Sequence, residues 1–362
     1  VAEAMAERGT KPVLAARSRD KLEALADELG GGLETAVADV SDPPSVAALV
    51  EKGDVLVTTV GPFTRWGGPA AAAATTKGAH YLDSTGEPGF IREVFERYGP
   101  AAERTGAAML TAFGYDWVPG NLAGALALRK AGDDAVRIDV GYFNRGRGKP
   151  SGGTQASMVA SMAAPGFVFR DGRVRTERAA KRVRSFPVGS KGREGVSVGS
   201  SEHFTLPRVA PQLREVNVYL GWFGPFSRPM QVFSLGTSVP GASRVLQMAG
   251  ERFVKGSTGG PDAEARAQVG SHIVAIAYDG SGRELAEVHL TGVDGYTFTG
   301  RVLAWGAKLA AEGGLQGTGA LGPVDAFGLV ALTDGCRWAG LEEEGGPQQA
   351  SAGSEPDHAA IE

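Results

Sequence analysis

The feature that most constrains the fold is the regular alternation of strand and helix signals along the first 130 residues. Short apolar runs are separated by amphipathic segments, several of which begin at Asp or Pro and end at Gly. A repeat of roughly 20 to 30 residues is typical of parallel α/β units. The sequence therefore predicts an α/β fold built on a doubly wound parallel sheet. The predicted strands cover residues 12–16, 35–40, 55–60, 80–84 and 107–113.

A different pattern begins after Leu128. The strand-like segments become longer and alternate apolar with polar residues, which is α+β character. Residues 273–290 predict a hairpin, because two such segments flank Asp279-Gly280-Ser281-Gly282. We therefore predict a second, α+β domain that supplies substrate or catalytic residues. The predicted divisions are 1–121 for the first domain, 122–322 for the second, 323–340 for a helix that packs back on the first, and 341–362 for a disordered tail.

Composition excludes several classes of protein. Hydrophobic residues make up 42% and charged residues 22% of the chain, so a wholly disordered or fibrous protein is excluded. A net charge of −4 gives no basis for nucleic-acid binding. The single cysteine, Cys336, excludes a disulfide framework and a cysteine-based zinc site, and it fits a reducing compartment.

The sequence shows neither a membrane span nor a secretory signal. Its longest uncharged run, residues 150–169, is rich in Gly, Ser, Thr, Gln and Pro. The first twenty residues carry acids and bases in place of an apolar block. We therefore expect a cytoplasmic protein without an integral membrane segment, and peripheral contact with a membrane stays open.

A doubly wound sheet typically binds a dinucleotide at the carboxyl ends of its strands. The pyrophosphate lies on a glycine-rich turn between the first strand and the first helix. This sequence starts at Val1, inside the helix that should follow that turn. We therefore expect the first strand and the glycine loop of a Rossmann-type domain to lie ahead of Val1, in which case the sequence is amino-terminally truncated.

The end of the next strand indicates which dinucleotide is bound. NAD-selective sites carry an acidic residue there, whereas this sequence has Arg17, Ser18 and Arg19. Guanidinium and hydroxyl groups suit a 2′-phosphate, because arginine offers bidentate, permanently charged donors. The prediction is NADP. The alternative is a solvated charged turn that caps the next helix.

Two further strand ends are candidate contacts of the cofactor. Asp39 and Val40 end the strand beside which the adenine would lie. Val60, Gly61 and Pro62 end the following strand, where the backbone would approach the nicotinamide ribose. All five are assigned to the predicted cofactor site.

Several motifs together resemble a known family. They are Val60-Gly61-Pro62-Phe63, Gly78-Ala79-His80-Tyr81-Leu82-Asp83, Thr85-Gly86-Glu87 and Gly114-Tyr115-Asp116-Trp117-Val118-Pro119-Gly120-Asn121-Leu122. On these residues the chain resembles the saccharopine dehydrogenase-like oxidoreductases, and the resemblance extends over residues 1–338. Ser151-Gly152-Gly153-Thr154 and Gly322-Pro323 resemble the bacterial branch of that family, which includes the trans-acting enoyl reductases of actinobacterial lipid synthesis.

The resemblance implies an NADP-dependent oxidoreductase that reduces an activated double bond, of the enoyl reductase type, in lipid or polyketide metabolism. It leaves open a C=N acceptor of the saccharopine reductase type. A non-catalytic protein that keeps the fold as a binding or scaffold module is a third alternative, because the glycine loop is missing from the sequence. The expected partner is a small-molecule or carrier-bound acyl substrate and not a nucleic acid, and a homo-oligomer stays open.

The residues after the later strand ends are candidates for the reacting end of the site. Thr85, Gly86 and Glu87 would contact the nicotinamide half of the cofactor. The alternative for Glu87 is to complement the dipole of the helix that follows it. Tyr115 and Asp116 follow the last strand of the cofactor domain, and either residue could donate or relay a proton during hydride transfer. The alternative is an ordinary connecting turn.

A polar loop in the second domain is a candidate for substrate contact. Ser151, Thr154 and Gln155 lie where this loop runs into a predicted helix, although Ser151 or Thr154 would serve equally well as a helix cap. The basic residues ahead of the loop would attract an anionic substrate or a carrier phosphopantetheine, or they are simply solvated. These basic residues are Arg145, Arg147 and Lys149.

Other catalytic chemistries find little support. Gly195-Val196-Ser197-Val198-Gly199 matches the nucleophile elbow of hydrolases, but the strand before and the helix after it are not predicted. No tyrosine is followed by a lysine four positions later, so the Tyr-x-x-x-Lys pair of short-chain dehydrogenases is absent. The five histidines, at positions 80, 203, 272, 289 and 358, show no metal-ligand spacing, and no metal is predicted.

Overall fold

The architecture is that of a computed structural model. It describes residues 1–146, 165–189, 191–235, 260 and 262–345. The predicted substrate residues Ser151, Thr154 and Gln155 lie outside these ranges, as do two of the three basic residues ahead of them. The third, Arg145, is described and exposed.

The helices alternate with short strands in the first part of the chain and with longer strands in the second. Within the described ranges, the helices are α1 (Ala2–Glu7), α2 (Arg19–Glu28), α3 (Pro43–Ala47), α4 (Phe63–Lys77), α5 (Pro88–Glu93), α6 (Gly99–Thr105), α7 (Val118–Ala131), α8 (Glu202–Val209), α9 (Ser227–Phe233), α10 (Ala263–Ala267), α11 (Gly295–Ala311), α12 (Pro323–Phe327) and α13 (Leu329–Trp338). The strands are β1 (Leu14–Ala16), β2 (Thr35–Val37), β3 (Val55–Thr58), β4 (His80–Asp83), β5 (Ala108–Leu110), β6 (Arg137–Gly146), β7 (Pro165–Arg170), β8 (Arg173–Arg178), β9 (Val183–Val188), β10 (Lys191–Ser197), β11 (Glu215–Leu220), β12 (Val269–Tyr278), β13 (Glu284–Gly292), β14 (Gly319–Ala320) and β15 (Leu341–Glu343).

The first domain contains the predicted parallel strands, covered by helices. Four of them form one sheet in the order β14-β5-β4-β3, and β1 and β2 form a separate pair. Every pairing in both pieces is parallel. α4 and α11 pack on β3 and β4, and α1 packs on α11. The predicted fold class, an α/β domain with a parallel sheet, is confirmed.

The two parallel pieces of this domain are not hydrogen-bonded to each other. In the common doubly wound order 3-2-1-4-5-6, β2 and β1 correspond to strands 3 and 2, and β3, β4 and β5 correspond to strands 4, 5 and 6. Among the described residues no strand corresponds to strand 1, which would lie between β1 and β3. Val13 and Val37 beside this position are exposed, although strands of parallel sheets are normally buried on both faces.

The second domain is a mixed sheet with α7 packed against it. Its order is β15-β13-β12-β6-β11-β10-β9, with β7 paired to β11 and β8 paired to β7. β11 runs parallel to β6, and the other described pairs are antiparallel. β12 and β13 form the predicted hairpin, and the Asp279 carboxylate closes its turn by accepting from the N–H groups of Ser281 and Arg283.

The chain returns to the first domain earlier than predicted. We expected the second domain to extend to residue 322, but α11 packs against β3 and β4, and β14 extends the parallel sheet beside β5. The physical reason is the apolar face of α11. Its Trp305 stacks on Phe113 with ring centroids 6.4 Å apart and meets the edge of Phe327 at 4.8 Å. The structure therefore places the return at Gly295.

Part of the predicted disordered tail is a strand. Residues 341–343 form β15, which pairs antiparallel with the edge of β13. Leu341 is 2% exposed and belongs to the main hydrophobic core. An unpaired strand edge and one large apolar side chain order these residues, so the prediction of disorder is wrong for 341–343. The predicted tail from residue 346 onward lies outside the described residues.

The described helices are shorter than a helix that crosses a bilayer, which needs about 20 residues. The longest of them, α11, has 17 residues, and α4 has 15. None of these helices has both the length and the apolar character that crossing a membrane requires.

Candidate cofactor and active site

The carboxyl ends of the parallel strands supply the predicted cofactor residues. Arg17 follows β1 and is exposed, Ser18 is the N-cap of α2, and Arg19 is its exposed first residue. Asp39 follows β2, and its carboxylate accepts from the N–H (2.8 Å) and the hydroxyl (2.7 Å) of Ser41. These bonds lower the pKa of Asp39, and the nearby charge of Arg17 lowers it further. The structure thus brings residues of two strand ends together.

Glu87 fixes the start of α4, next to the predicted Val60-Gly61-Pro62 loop. Its carboxylate is 2% exposed. Oε1 accepts from the Phe63 N–H at 2.8 Å, and Oε2 accepts from the N–H (3.0 Å) and hydroxyl (2.6 Å) of Thr64. Glu87 therefore caps α4, whose first N–H groups have no partner within the helix. The Glu87 carboxylate thus complements the dipole of α4 at its amino end. We expected it to complement α5, the helix that follows Glu87 in sequence.

This arrangement changes the role predicted for Glu87. Both carboxylate oxygens are engaged by α4, so Glu87 supports the loop instead of offering a free group to a cofactor. Val60, Gly61 and Pro62 are all exposed, so a ligand can reach all three.

Asp83, the last residue of β4, ties the neighbouring strand ends together. Its buried carboxylate accepts from the Thr85 N–H (2.9 Å), the Ala112 N–H (2.8 Å) and the Thr111 hydroxyl (2.8 Å). Burial raises the pKa of Asp83 to about 6, and these donors act against that rise. Thr85 is buried too, and its hydroxyl accepts from the Glu87 N–H at 3.1 Å. The Thr85 side chain is therefore engaged within the turn.

Gly86 and Asp116 lie against each other at the strand ends. A Cβ on Gly86 would lie 2.6 Å from Asp116 Oδ2, which is closer than real Cβ contacts come. Asp116 belongs to the turn between β5 and α7, which is closed by a bond from the Trp117 N–H to the Ala112 carbonyl at 2.9 Å. A predicted cofactor residue and a predicted catalytic residue are therefore neighbours.

The Asp116 carboxyl group is suited to hold a proton near neutral pH. Its Oδ1 is buried and has no hydrogen-bond partner among the described residues. Burial raises the pKa of Asp116 from 3.8 to about 7. A carboxyl group with such a pKa is partly protonated at neutral pH, as general acid catalysis requires.

Tyr115, the other predicted catalytic residue, is less well suited to donate a proton. Its ring packs edge-on against Tyr142 and Phe298, with centroid distances of 6.0 and 6.3 Å. Its N–H donates to the Thr299 hydroxyl at 2.9 Å. Burial raises the pKa of the Tyr115 hydroxyl well above its ordinary value, which makes it a weak acid. Tyr115 packs beside the site, and Asp116 is the better donor.

Two residues that the sequence did not indicate, Tyr142 and Glu202, complete a buried cluster with Asp116. Tyr142 lies on β6 and Glu202 begins α8. The Tyr142 hydroxyl donates to Glu202 Oε1 (2.6 Å) and accepts from the Gly120 N–H (2.7 Å). Burial raises the pKa of Glu202 to about 7, and the charge of Asp116 raises the pKa values of Glu202 and Tyr142 further. We call Asp116, Tyr142 and Glu202 the junction cluster, because they join the two domains.

The nucleophile-elbow pattern does not form an elbow. Ser197 ends β10, and its hydroxyl accepts from the Arg182 N–H at 3.0 Å. His203 contacts Ser200 instead, with 3.1 Å between Nδ1 and Oγ, and burial lowers the pKa of His203 to about 4. In the described part of the chain no histidine is hydrogen-bonded to Ser197.

The residues present fit both ends of NADP. Arg17, Ser18 and Arg19 place two guanidinium groups and a hydroxyl at the end of β1, where a 2′-phosphate is bound in this fold. At the nicotinamide end, the exposed loop at Val60 leaves room for a ligand, and the missing side chain of Gly86 lets the Asp116 carboxyl group lie beside it. The turn that binds the pyrophosphate in this fold precedes the first helix, and the described residues start at Val1.

Comparison with known families and structures agrees with this geometry. Residues 1–110 match the family model of the saccharopine dehydrogenase NADP binding domain. Among solved structures, the apo form of histidine-tagged saccharopine dehydrogenase (L-Glu forming) from Saccharomyces cerevisiae has a TM-score of 0.57 to this chain. The match covers 94% of this chain and 95% of that chain at 13% identity, and it shows that the fold is shared.

The chain is also similar to curated mycobacterial proteins. It is 38% identical over 152 residues to a protein of Mycobacterium tuberculosis (strain ATCC 25618 / H37Rv) that is provisionally named a trans-acting enoyl reductase, covering 40% of this chain and 36% of that protein. It is 37% identical over 137 residues to the trans-acting enoyl reductase of Mycobacterium ulcerans (strain Agy99), covering 36% and 33%. The chain thus spans about a third of the length of the curated relatives it matches.

Proposed function

We propose that the chain is an NADP-dependent oxidoreductase that reduces an activated carbon–carbon double bond, because residues 1–110 match the saccharopine dehydrogenase NADP binding domain. The names of the mycobacterial relatives support an enoyl group as the acceptor. The proposed substrate is an acyl chain, either as a small molecule or bound to a carrier.

The observation that carries the proposal is the Asp116 carboxyl group, which has a buried Oδ1 and lies beside Gly86. NADPH, when bound, supplies a hydride to one carbon of the double bond, and the other carbon then needs a proton. Asp116 Oδ1 has no partner in the described part of the chain, so its proton is free to be donated. Because the pKa of Asp116 is about 7, the group is substantially protonated at neutral pH and can be reprotonated after each turnover.

Some of the cofactor residues would contact the ligand, and Glu87 would position the residues that make these contacts. Arg17, Ser18 and Arg19 would bind the 2′-phosphate, which is the group that distinguishes NADP from NAD. Val60 would lie along the nicotinamide ribose. Glu87 would position this loop through its bonds to the start of α4.

Tyr142 and Glu202 would keep the proton within the junction cluster. Glu202 and the Oδ1 atom of Asp116 are buried, and the charge of Asp116 disfavours ionisation of Glu202. The pair therefore retains a proton at pH values where exposed carboxyl groups are fully ionised. Tyr142 donates to Glu202 Oε1, which fixes that carboxyl group on the side of the second domain.

The test is a steady-state measurement of NADPH oxidation with two acceptors. One arm contains an enoyl thioester of pantetheine, and the other contains glutamate with aminoadipate semialdehyde, which together form a C=N acceptor. We expect turnover in the enoyl arm. The substitution Asp116→Asn should lower kcat by about 10²- to 10⁴-fold and leave NADPH affinity, measured by fluorescence, nearly unchanged.

Asp133→Asn is the matched control, because Asp133 is exposed and the substitution removes the same charge. It should leave kcat unchanged. Turnover only in the C=N arm would replace the proposed acceptor with one of the saccharopine type. NADPH binding without turnover in either arm would favour a binding module, and full activity of Asp116→Asn would remove Asp116 from the reaction.

A further inference from the structure

A second cluster of polar side chains lies on the β12–β13 hairpin. His272 is on β12 and His289 is on β13, 17 residues later in the chain. The antiparallel register pairs His272 with Thr291 and His289 with Val274, so the two histidines are diagonal neighbours. Residues two apart on a strand point to the same face, so both imidazoles project from one face of the sheet.

The two rings are in direct contact, and a carboxylate lies beside them. His272 Nε2 and His289 Nδ1 are 2.8 Å apart. One ligand atom from each of His272, His289 and Glu344 lies within 4.8 Å of the other two. Two imidazole nitrogens and a carboxylate oxygen are the donor set that Zn²⁺ commonly accepts.

A fourth residue fixes the orientation of His289. Its Nε2 is hydrogen-bonded to the Glu287 carboxylate, which lies on the same strand. Because a carboxylate only accepts, His289 Nε2 carries the proton and Nδ1 presents its lone pair toward His272. A carboxylate that holds the outer nitrogen of a histidine in this way is a regular partner of metal-ligating histidines.

We propose that His272, His289 and Glu344 form a binding site for a divalent transition-metal ion of the Zn²⁺ type, with Glu287 positioning His289. Zn–N bonds of about 2.0 to 2.1 Å at a tetrahedral angle place two nitrogens about 3.3 Å apart. The observed 2.8 Å between the two nitrogens is close to this, so a small rotation of either ring makes room for the ion. Without metal, His272 Nε2 donates to His289 Nδ1, so the ion replaces this hydrogen bond and the His272 proton moves to Nδ1 of the same ring.

The environment agrees with metal binding. His272 is 4% exposed, so its imidazole lies in surroundings that are shielded from water. The Glu344 carboxylate supplies a negative charge beside a bound cation, and its exposed position leaves room for water as a further ligand.

A bound ion would hold the residue after β15, the last described strand, to the two neighbouring strands of the hairpin. Glu344 directly follows β15, and its N–H donates to the His289 carbonyl at 2.9 Å. A metal ion held by all three residues would therefore connect β15 to both β12 and β13. This role is independent of hydride transfer, because none of the three residues belongs to the proposed active site.

The experiment is isothermal titration of Zn²⁺ into the metal-stripped chain, with Mg²⁺ as the comparison ion. We expect one Zn²⁺ per chain and no comparable binding of Mg²⁺, which prefers oxygen ligands. His272→Gln or His289→Gln should weaken binding by about 100-fold, and Glu287→Gln by about 10- to 100-fold. Bound Zn²⁺ should raise the Tm of the wild-type chain.

Two variants separate ligand loss from misfolding. Glu344→Gln changes an exposed side chain and should weaken Zn²⁺ binding without lowering the Tm of the metal-free chain. Glu342→Gln removes the same charge two residues away, from an exposed position, and should leave the affinity unchanged. Absence of Zn²⁺ binding, or an affinity that is the same in wild type and in the His272→Gln and Glu344→Gln variants, would overturn the proposal.

Discussion

Glu87 Oε1 accepts a hydrogen bond from the Phe63 N–H at 2.8 Å, across 24 residues of chain. The bond connects the turn after β4 to the start of α4, and so fixes two neighbouring strand ends relative to each other. The Val60-Gly61-Pro62 loop lies between β3 and that helix start. Glu87 therefore acts on the candidate cofactor site through the backbone it holds.

Removing the Glu87 carboxylate should destabilise the protein more than its position in a loop suggests. Glu87→Ala leaves two buried or half-buried N–H groups at the start of α4 without acceptors, and we expect a loss of about 2 to 3 kcal/mol of unfolding free energy. Glu87→Gln keeps one acceptor and should lose about half as much. Urea unfolding measures both.

Glu96→Ala is the control for this series, because Glu96 forms an exposed ion pair with Arg92 on one helical face. Exposed ion pairs contribute little to stability, so the unfolding free energy of Glu96→Ala should differ from that of wild type by less than about 0.5 kcal/mol. A similarly small change in Glu87→Ala would show that the cap is not important for stability.

The contact between Gly86 and Asp116 predicts a large effect from a single methyl group. A Cβ at residue 86 would lie 2.6 Å from Asp116 Oδ2, so Gly86→Ala must displace the proposed acid. We expect kcat for NADPH-dependent reduction to fall by at least about tenfold. Gly89→Ala is the matched control, because its Cβ would meet Thr64 Cγ2 at an ordinary 3.5 Å. Equal activity of the two variants would contradict the proposed placement of Asp116.

Much of the fold could be predicted because its signals are local. The alternation of apolar runs predicted β1 to β5 to within a few residues, and Asp279-Gly280-Ser281-Gly282 predicted the β12–β13 turn. Asp116 could be proposed as a catalytic residue from its place after β5, since strand ends converge at one edge of a parallel sheet.

The rest depends on contacts that local patterns do not encode. Tyr142 and Glu202 meet across 60 residues, and no spacing rule connects a tyrosine on one strand with a glutamate at the start of a distant helix. The polar run Ser200-Ser201-Glu202-His203 is a local signal, but it does not indicate a partner for Glu202. His272 and His289 show no metal-ligand spacing, because it is the register of the hairpin that brings them together.

Arg17 should determine the preference for NADPH. Its guanidinium is exposed at the end of β1, so its loss should affect only a ligand that carries a charge there. Arg17→Ala should weaken NADPH binding by about 10- to 100-fold and leave NADH binding nearly unchanged. Fluorescence titration of both nucleotides at low and high salt measures this, since an exposed ion pair weakens with salt.

The control for Arg17 is Lys21→Ala, which removes an exposed positive charge from the first turn of α2. It should change the affinity for neither nucleotide. If Arg17→Ala weakened NADPH and NADH equally, or weakened neither, Arg17 would be a surface charge without a role in selectivity.

The raised pKa of Asp116 makes stability depend on pH in a defined direction. In the unfolded chain this carboxyl group ionises near pH 4, whereas in the folded chain its pKa is about 7. Between these values the folded state binds more protons than the unfolded state. The contribution of Asp116 to stability is therefore greatest below about pH 4 and is lost as the pH rises through about 7. The side chain introduced by Asp116→Asn cannot ionise, so this variant should not lose stability in this way as the pH rises.

The difference in Tm between Asp116→Asn and wild type should therefore grow from about pH 4 to about pH 7 and then level off, and it corresponds to about a few kcal/mol of unfolding free energy at most. Thermal melts at intervals across that range measure it, and exposed Asp133→Asn should show no such trend. If the gap stayed constant with pH, Asp116 would ionise like an exposed carboxyl group. In that case it would be fully deprotonated at neutral pH and could not supply the proton that the proposed reduction requires.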